Sequence, residues 1–223
     1  DQPIKIWRHT LNKRQFCALA VGASALLLSS SFAQAPYPTK PITVIVPFAP
    51  GGNLDLVTRL IAASMGKTLG QSIIVDNKAG AGGLVGHQAG AKAIADGYTV
   101  TTTANGSFAI TPKLQARPPF KGDDFIPVGS IASTPLLLTV NAAGRFRSIN
   151  ELLTFARTNP QQVTIGHSGN GTTNHVAILL LQEAAKVKFN IIPYKGSAPA
   201  ITDLLSGQVD AIVDQATSSM PHI

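Results

Sequence analysis

The sequence is poor in cysteine, in charge and in aromatic side chains. Its one cysteine is Cys17, which excludes a disulfide framework within the chain and a metal site built from several cysteines. Charged residues make up 13% of the chain and aromatic residues 6%. A low charged fraction combined with 44% hydrophobic residues excludes a disordered chain and indicates a globular core.

The net charge of +7 does not indicate a nucleic-acid partner. Four basic residues lie in the first fourteen positions, and the chain from Pro36 onward holds 14 Lys and Arg against 10 Asp and Glu. That part has no basic run, and its basic residues do not alternate with aromatic ones as a base-stacking surface requires. We therefore predict no nucleic-acid partner.

The first 35 residues have the order of a secretory signal peptide. Lys13-Arg14 precede an apolar run over residues 16–28, and small residues follow up to Ala33-Gln34-Ala35. The apolar run is short for a membrane span, although an uncleaved anchor is the alternative. We predict a signal peptide with an upstream extension over residues 1–35, and cleavage after Ala35 would also remove Cys17.

The rest of the chain is organised around the stretch Pro47–Asp55. It joins a β-branched run at residues 42–46 to a helix-like run at residues 56–69, and it carries Gly51 and Gly52. A strand that ends in such a turn directs the first N–H groups of the helix at whatever lies above the strand. Strands at residues 72–76 and 98–103 end in similar turns, so we predict a parallel sheet with its ligand side at these turns.

The same arrangement recurs in the second half of the chain. After a helix at residues 148–157 and a strand at 163–165, a turn at residues 166–173 carries Gly169 and Gly171 and leads into a helix at 175–187. A strand at 189–193, a helix at 198–205 that Ser197 can cap, and a strand at 209–213 follow. Two β-like runs at 128–133 and 136–141 join the blocks. We predict an α/β fold with two lobes, residues 36–138 and 139–223, and a cleft between them.

Enzymatic motifs are incomplete in this sequence. No lysine follows a glycine pair as in a phosphate-binding loop, and Val85 takes the place of the third glycine of a dinucleotide motif. Gly166-His167-Ser168-Gly169-Asn170 differs from a nucleophile elbow in its last residue, so a secreted serine hydrolase that uses Ser168 with a nearby histidine remains the alternative. The five histidines lack the spacing of a metal site, and we predict neither a metal nor a cofactor.

Binding is the prediction that the residues favour. Helix starts after Gly52 and after Gly171 would face each other across the cleft, each with N–H donors and the positive end of a helix dipole. Hydroxyl and amide side chains lie in the same turns. Neutral donors of this kind suit a small organic anion, and two facing helix starts suit a dicarboxylate best.

Six motifs resemble the Bug family, the extracytoplasmic solute receptors of tripartite tricarboxylate transporters. The resemblance runs from Tyr37 to the last residue, in the same order and at similar spacing. It is carried by Tyr37-Pro38-Thr39-Lys40-Pro41-Ile42, Pro47-Phe48-Ala49-Pro50-Gly51-Gly52 with Asp55, Asn77-Lys78-Ala79-Gly80-Ala81-Gly82-Gly83, Ala95-Asp96-Gly97-Tyr98-Thr99, Ser168-Gly169-Asn170-Gly171-Thr172 with His175, and Pro193-Tyr194-Lys195-Gly196-Ser197-Ala198-Pro199-Ala200.

The resemblance implies a monomeric, periplasmic, two-lobed binding protein of the Venus flytrap type. Its ligand would be a dicarboxylate, a tricarboxylate, an aromatic carboxylate or an amino acid, passed to membrane transporter subunits. A receptor that signals to a membrane sensor shares the fold. By matching position, the implied ligand-binding residues are Phe48, Ala49, Gly51, Gly52, Asn53, Asp55, Asn105, Ser107, Ser168, Gly169, Asn170, Gly171, Thr172, His175, Tyr194, Gly196, Ser197 and Asp214.

The chain departs from the family pattern in three respects. Asn53 and His167 stand where relatives have small residues, and His167 is expected to narrow the site. Asp214, in contrast, matches an acidic position that is often near the cleft in the family, and it is expected to select an amino or amide group. The family pattern also continues beyond Ile223 to complete the first lobe, so we expect the C-terminal portion of the fold to be missing from this sequence.

Overall fold

The computed structural model describes residues 37–223, and the predicted signal peptide lies outside this range. The first sheet consists of β1 (Ile42–Val46), β2 (Ile73–Asn77) and β3 (Thr99–Thr101). The strand order is β2-β1-β3, and both outer strands run parallel to β1. Four of the five residues of β1 are buried, as a β-branched central strand requires. The parallel sheet predicted from the strand–turn–helix units is confirmed.

Two helices connect these strands. Helix α1 (Asn53–Leu69) begins directly after Gly52 and ends at Gly70, whose φ of 64° lies in the left-handed region that glycine tolerates. Helix α2 (Leu84–Ala91) follows the glycine turn. The Lys92 N–H already bonds to Gln88 and Gly90, which tightens and closes the last turn.

The segment after β3 is irregular, as predicted, but one expected strand is absent. One turn of π-helix (Gly106–Ile110) leads into short turns of 3₁₀-helix at Thr111–Leu114 and Gly122–Asp124. Three phenylalanines of this segment pack around the fully buried His87 on α2. The strand predicted at residues 128–133 is wrong, because residues 126–133 are exposed and unpaired, and Pro127 interrupts the donors of the run.

The second sheet has the order β4-β7-β5-β6. Its strands are β4 (Leu136–Val140), β5 (Thr164–His167), β6 (Asn190–Pro193) and β7 (Ala211–Gln215). Strand β4 pairs antiparallel with β7, while β5 is parallel to β6 and to β7. All five residues of β4 pair with β7, so the boundary predicted between residues 138 and 139 falls inside a strand of the second sheet.

Helices α3 (Ile149–Thr158), α4 (Thr173–Ala185), α5 (Ser197–Leu205) and α6 (Ala216–Ser219) surround this sheet. Ser148 caps α3, since the Glu151 N–H donates to Ser148 Oγ at 3.2 Å. The predicted cap of α5 is wrong. Gly196 occupies the cap position, and the Ser197 hydroxyl donates to the Asp214 carboxylate.

The packing of helices against the second sheet can be tested by substitution. Leu152 on α3 is fully buried against the sheet, whereas Leu180 on α4 is 65% exposed. We expect Leu152→Ala to lower the free energy of unfolding by about 2–5 kcal/mol, because it leaves a cavity, measured by urea denaturation. Leu180→Ala serves as the matched control and should change it by less than about 1 kcal/mol. Equal effects of the two substitutions would contradict the packing.

Candidate functional site

The turn after β1 is held by the carboxylate of Asp55. Asp55 is buried, and its oxygens accept hydrogen bonds from Gly51 N at 2.8 Å, Arg59 Nε at 2.9 Å and Asn77 Nδ2 at 2.9 Å. Asn77 Nδ2 also donates to the carbonyl of Phe48 at 3.1 Å. Asp55 thus joins the turn to α1 and to the end of β2.

These contacts set the protonation state of Asp55. Burial alone would raise its pKa, but the hydrogen bonds from Arg59, Gly51 and Asn77 together bring the pKa below the ordinary value of 3.8. Asp55 is therefore an ionised anchor at neutral pH.

The turn after β5 is built from glycines and hydroxyls. Gly169 and Gly171 have φ values of 131° and 79°, which side-chain-bearing residues rarely adopt. Thr172 caps α4 by accepting from the His175 N–H, and its hydroxyl donates to the Gly169 carbonyl at 2.6 Å. Ser168 Oγ donates to Thr172 Oγ1 at 3.3 Å. The predicted glycine turn and helix start are confirmed here.

Two histidines stack beneath this turn. The rings of His167 and His175 lie 4.6 Å apart and 13° from parallel. Gly169 N donates to His167 Nδ1 at 3.1 Å, and Gly171 N donates to His175 Nδ1 at 3.2 Å. The pKa of His167 is lowered from 6.5 to about 4, mainly by burial and to a smaller extent by repulsion from His175. Burial also lowers the pKa of His175, so both rings are neutral at pH 7.

The end of β7 carries a second buried carboxylate, Asp214. It accepts hydrogen bonds from the hydroxyls of Ser197, Ser218 and Ser219, the last at 3.0 Å. Asn174 Nδ2 donates to the Val213 carbonyl at 2.9 Å, beside this carboxylate. Asp214 thereby connects the starts of α5 and α6 to the sheet.

The side chain of Tyr194 is hydrogen-bonded to α5. Its hydroxyl donates to Asp203 Oδ2 at 2.6 Å. Burial is the larger cause and this hydrogen bond the second cause of a phenol pKa well above its ordinary value. Tyr194 is a packing residue of α5, with its ring against Gly166 on β5.

A cavity of about 30 Å³ lies where the carboxyl ends of the two sheets meet. Seven predicted site residues line it: Phe48, Gly52, Asn53, Ser107, Ser168, Thr172 and Ser197. Five further lining residues were not predicted: Leu54, Ala104, Thr173, Asn174 and Gln215. Most of these five residues lie in the first turn of a helix or directly after a strand. Their position next to the predicted turns could have indicated them from the sequence.

The other predicted site residues do not line this cavity. They lie behind it or beside it, in the turns that hold the lining residues, and they are Ala49, Gly51, Asp55, Asn105, Gly169, Asn170, Gly171, His175, Tyr194, Gly196 and Asp214. Both oxygens of Asp214 are engaged by serine hydroxyls rather than directed into the cavity. His167 also lies outside the lining, so the predicted narrowing of the cavity by its side chain is not seen.

The serine hydrolase arrangement is not formed. The Ser168 hydroxyl donates to Thr172, and the described ring contacts of His167 and His175 go to backbone groups of glycines. In a serine–histidine pair, the histidine base lies within hydrogen-bond reach of the serine hydroxyl. Within residues 37–223, no three potential ligands cluster as a metal site. No helix in that range is both long and apolar enough to cross a bilayer.

Two α/β sheets with helix starts converging on a cleft define the class of periplasmic binding proteins, and the comparisons agree. The model of the tripartite tricarboxylate transporter family receptor matches residues 57–223. The chain therefore belongs to this family, as the resemblance predicted. The match begins just after the turn at residues 47–55.

Individual relatives match over most of this chain. A UPF0065 protein from the tcbD–tcbE intergenic region of Pseudomonas sp. strain P51 is 41% identical over 208 residues, covering 92% of this chain. The periplasmic binding protein BugD superposes with a TM-score of 0.79 at 37% identity over 84% of this chain. MatC from Rhodopseudomonas palustris with bound malate gives 0.77 at 34% identity over 83% of this chain. The chain spans 62–63% of the length of these three proteins.

The anchor role of Asp55 is testable. We expect Asp55→Asn to lower the free energy of unfolding at pH 7 by about 1–3 kcal/mol, because Arg59 loses its ionic partner and buried donors lose an acceptor. The difference should shrink as pH falls below 3.8, where the carboxylate of the unfolded chain is protonated. Denaturation curves at several pH values measure it. Asp123→Asn, at an exposed position, is the control, and an equal loss there would contradict the role.

The histidine stack predicts a pH dependence of stability. As pH falls below 6.5, His167 is protonated in the unfolded chain but stays neutral in the folded protein until about pH 4. The free energy of unfolding should therefore fall by about 3 kcal/mol between pH 6.5 and pH 4 because of this residue. In His167→Asn, we expect the difference in unfolding free energy between pH 7 and pH 4 to be smaller by about that amount, as measured by urea denaturation. His222→Asn, at an exposed position, should keep the wild-type difference. An unchanged difference in His167→Asn would exclude the buried neutral state.

Proposed function

We propose that the chain is the receptor part of a periplasmic transport system, which captures a small carboxylate-bearing metabolite and passes it to a membrane transporter. The observation that carries this proposal is the convergence of helix starts on one cavity. Residues at or beside the starts of α1, α4 and α5 line it, and the described lining contains no charged side chain. Backbone N–H groups and neutral hydroxyls and amides are therefore the donors available to a ligand.

This donor set favours an anion. Each helix start contributes about 0.3–1 kcal/mol to a nearby negative charge, and up to about 2 kcal/mol when it is partly buried. Three converging starts, with hydroxyls of Ser168, Thr172 and Ser197 beside them, support a carboxylate without a lysine or arginine. The malate in the structure of MatC, a relative of the same fold, supports the same class of ligand.

The location and the partner of the receptor also belong to this proposal. The signal-like residues 1–35 and the periplasmic assignment of BugD support an exported protein. Membership of a transporter receptor family supports delivery to membrane subunits.

Ligand binding tests the proposal directly. We expect thermal-shift and calorimetric titration with malate, succinate, adipate and citrate to give at least one stabilising ligand, and the corresponding uncharged diols to give none. Asn53→Ala should weaken binding of that ligand by about tenfold or more, since Asn53 lines the cavity and a hydrogen bond to a charged group contributes about 1.5–3 kcal/mol.

Asn150→Ala is the matched control, because Asn150 is exposed and lies in the first turn of another helix. It should leave the affinity unchanged. Binding of the diols with the same affinity as the acids, or equal losses in the two variants, would contradict a carboxylate site at this cavity.

A further inference from the structure

The chain contains two Asn-Gly pairs, Asn105-Gly106 and Asn170-Gly171, each in a turn beside the cavity. In such a pair the backbone nitrogen of the glycine can attack the side-chain carbonyl carbon of the asparagine, because glycine has no side chain that hinders the approach. The reaction ends by replacing the side-chain amide with a carboxylate. Its rate depends on the backbone conformation of the pair and on a base that takes up the N–H proton.

Asn170 is exposed in the turn after β5, between Gly169 and Gly171. Its carbonyl oxygen accepts a hydrogen bond from Thr111 Oγ1 at 3.4 Å. Its side-chain amide has no hydrogen-bond partner within residues 37–223. In that part of the chain, no hydrogen bond therefore holds the side-chain carbonyl carbon away from the nitrogen of Gly171.

The N–H of Gly171 is already directed at a base. It donates to Nδ1 of His175 at 3.2 Å, so this ring nitrogen carries a lone pair and no proton. The ring is neutral at pH 7, because burial lowers its pKa. A base in contact with an attacking N–H group can accept its proton as the new bond forms, which accelerates such steps by about a hundredfold or more.

The other Asn-Gly pair lacks these features. Asn105 has helical backbone angles, with φ of −51° and ψ of −46°. In a helix the next N–H points along the helix axis, whereas the side chain points outward from it. The Gly106 N–H donates to Thr173 Oγ1 at 3.2 Å, and a hydroxyl group is not a base at neutral pH. Asn105 is therefore an internal reference for Asn170.

We propose that Asn170 is a site of deamidation that the protein itself promotes, with the nitrogen of Gly171 as nucleophile and His175 as base. A bond forms between Gly171 N and Asn170 Cγ, and the proton of this N–H passes to His175 Nδ1. The bond from Cγ to Nδ2 breaks, and the leaving nitrogen takes up a proton from solvent and departs as ammonia, while His175 returns its proton to solvent. Water then opens the cyclic imide, which gives aspartate when the new bond is cleaved and isoaspartate when the main-chain bond is cleaved.

The product carries a negative charge beside the start of α4. A helix start stabilises one nearby negative charge, so the new carboxylate competes with a ligand anion for that start and also repels the anion. Deamidation of Asn170 would therefore weaken anion binding as the protein ages. This consequence rests on the proposed function, whereas the modification itself does not.

Peptide mapping by mass spectrometry tests the modification on the whole protein without a ligand. Trypsin separates the two Asn-Gly pairs, since Lys113 and Arg157 lie between them. During incubation at pH 7, we expect Asn170 to be converted to aspartate and isoaspartate at least about tenfold faster than Asn105, a part of the full effect of a general base. Equal rates, or a faster reaction at Asn105, would overturn the proposal.

His175→Asn distinguishes the base from the hydrogen bond. An asparagine at this position offers a carbonyl oxygen that can accept the Gly171 N–H but does not take up its proton. We expect this variant, with its fold checked by circular dichroism, to lose the amide of Asn170 at least about tenfold more slowly. His222→Asn, at an exposed position, is the matched control and should keep the wild-type rate. An unchanged rate in His175→Asn would show that His175 is not the base.

The pH profile of the wild-type protein is a readout that a purely structural role of His175 would not produce. Helix α4 packs against β5, β7 and the π-helical turn, and the titratable side chains of these elements are His167 and Asp214. Because His175 is already neutral at pH 7, the rate at Asn170 should change little as pH rises further. The rate at Asn105 should rise in proportion to the hydroxide concentration. The same proportional rise at Asn170 would contradict catalysis by His175.

Asn170→Asp tests the consequence for binding. We expect it to bind whichever of malate, succinate, adipate and citrate stabilises the wild-type protein about two- to fivefold more weakly, the range of a helix start acting on an exposed charge. Asn150→Asp adds the same charge in the first turn of α3 and should keep the wild-type affinity. An unchanged affinity in Asn170→Asp would exclude this consequence, while the mass measurement, which uses no ligand, decides on the modification separately.

Discussion

The position of the helix starts is the constraint on which the rest of this structure depends. A buried parallel strand that ends in a short turn and continues into a covering helix must bring the first N–H groups of that helix above the sheet. The chain does this after β1 and β5, and the helix after β6 adds a third start. The two sheets meet at these ends, so donors that would otherwise need separate partners are gathered around one cavity.

Buried carboxylates stabilise the turns that surround the cavity. Asp55 fixes the turn after β1 by accepting from three protein donors, and Asp214 fixes the starts of α5 and α6 through serine hydroxyls. A buried carboxylate is tolerated when hydrogen bonds compensate its lost hydration, and here those bonds also set loop geometry.

The sequence was sufficient to predict the elements and the side of the sheets on which the site lies. Continuous β-branched runs, glycine turns and apolar helices are local patterns, and the strands and longer helices formed near their predicted positions. The direction of individual side chains was not predictable in the same way. Asp55, Tyr194 and Asp214 were predicted as ligand contacts from matching position alone. The structure shows that each also has a hydrogen-bond partner within the protein, which the motifs did not indicate. Asn174 and Gln215, which the motifs did not mark, line the cavity.

Glycine is required in this structure for two different physical reasons. Gly51, Gly169 and Gly171 are needed for backbone conformation, since each has a positive φ. Gly106 is needed for contact, because its backbone conformation suits any residue while its surroundings leave no space for a side chain. Conformational glycines can be inferred from a turn pattern, whereas a contact glycine depends on a partner surface some 65 residues away in the chain. The backbone course of the turns therefore depends on the first kind, and the close approach of Gly106 to Thr172 and Thr173 depends on the second.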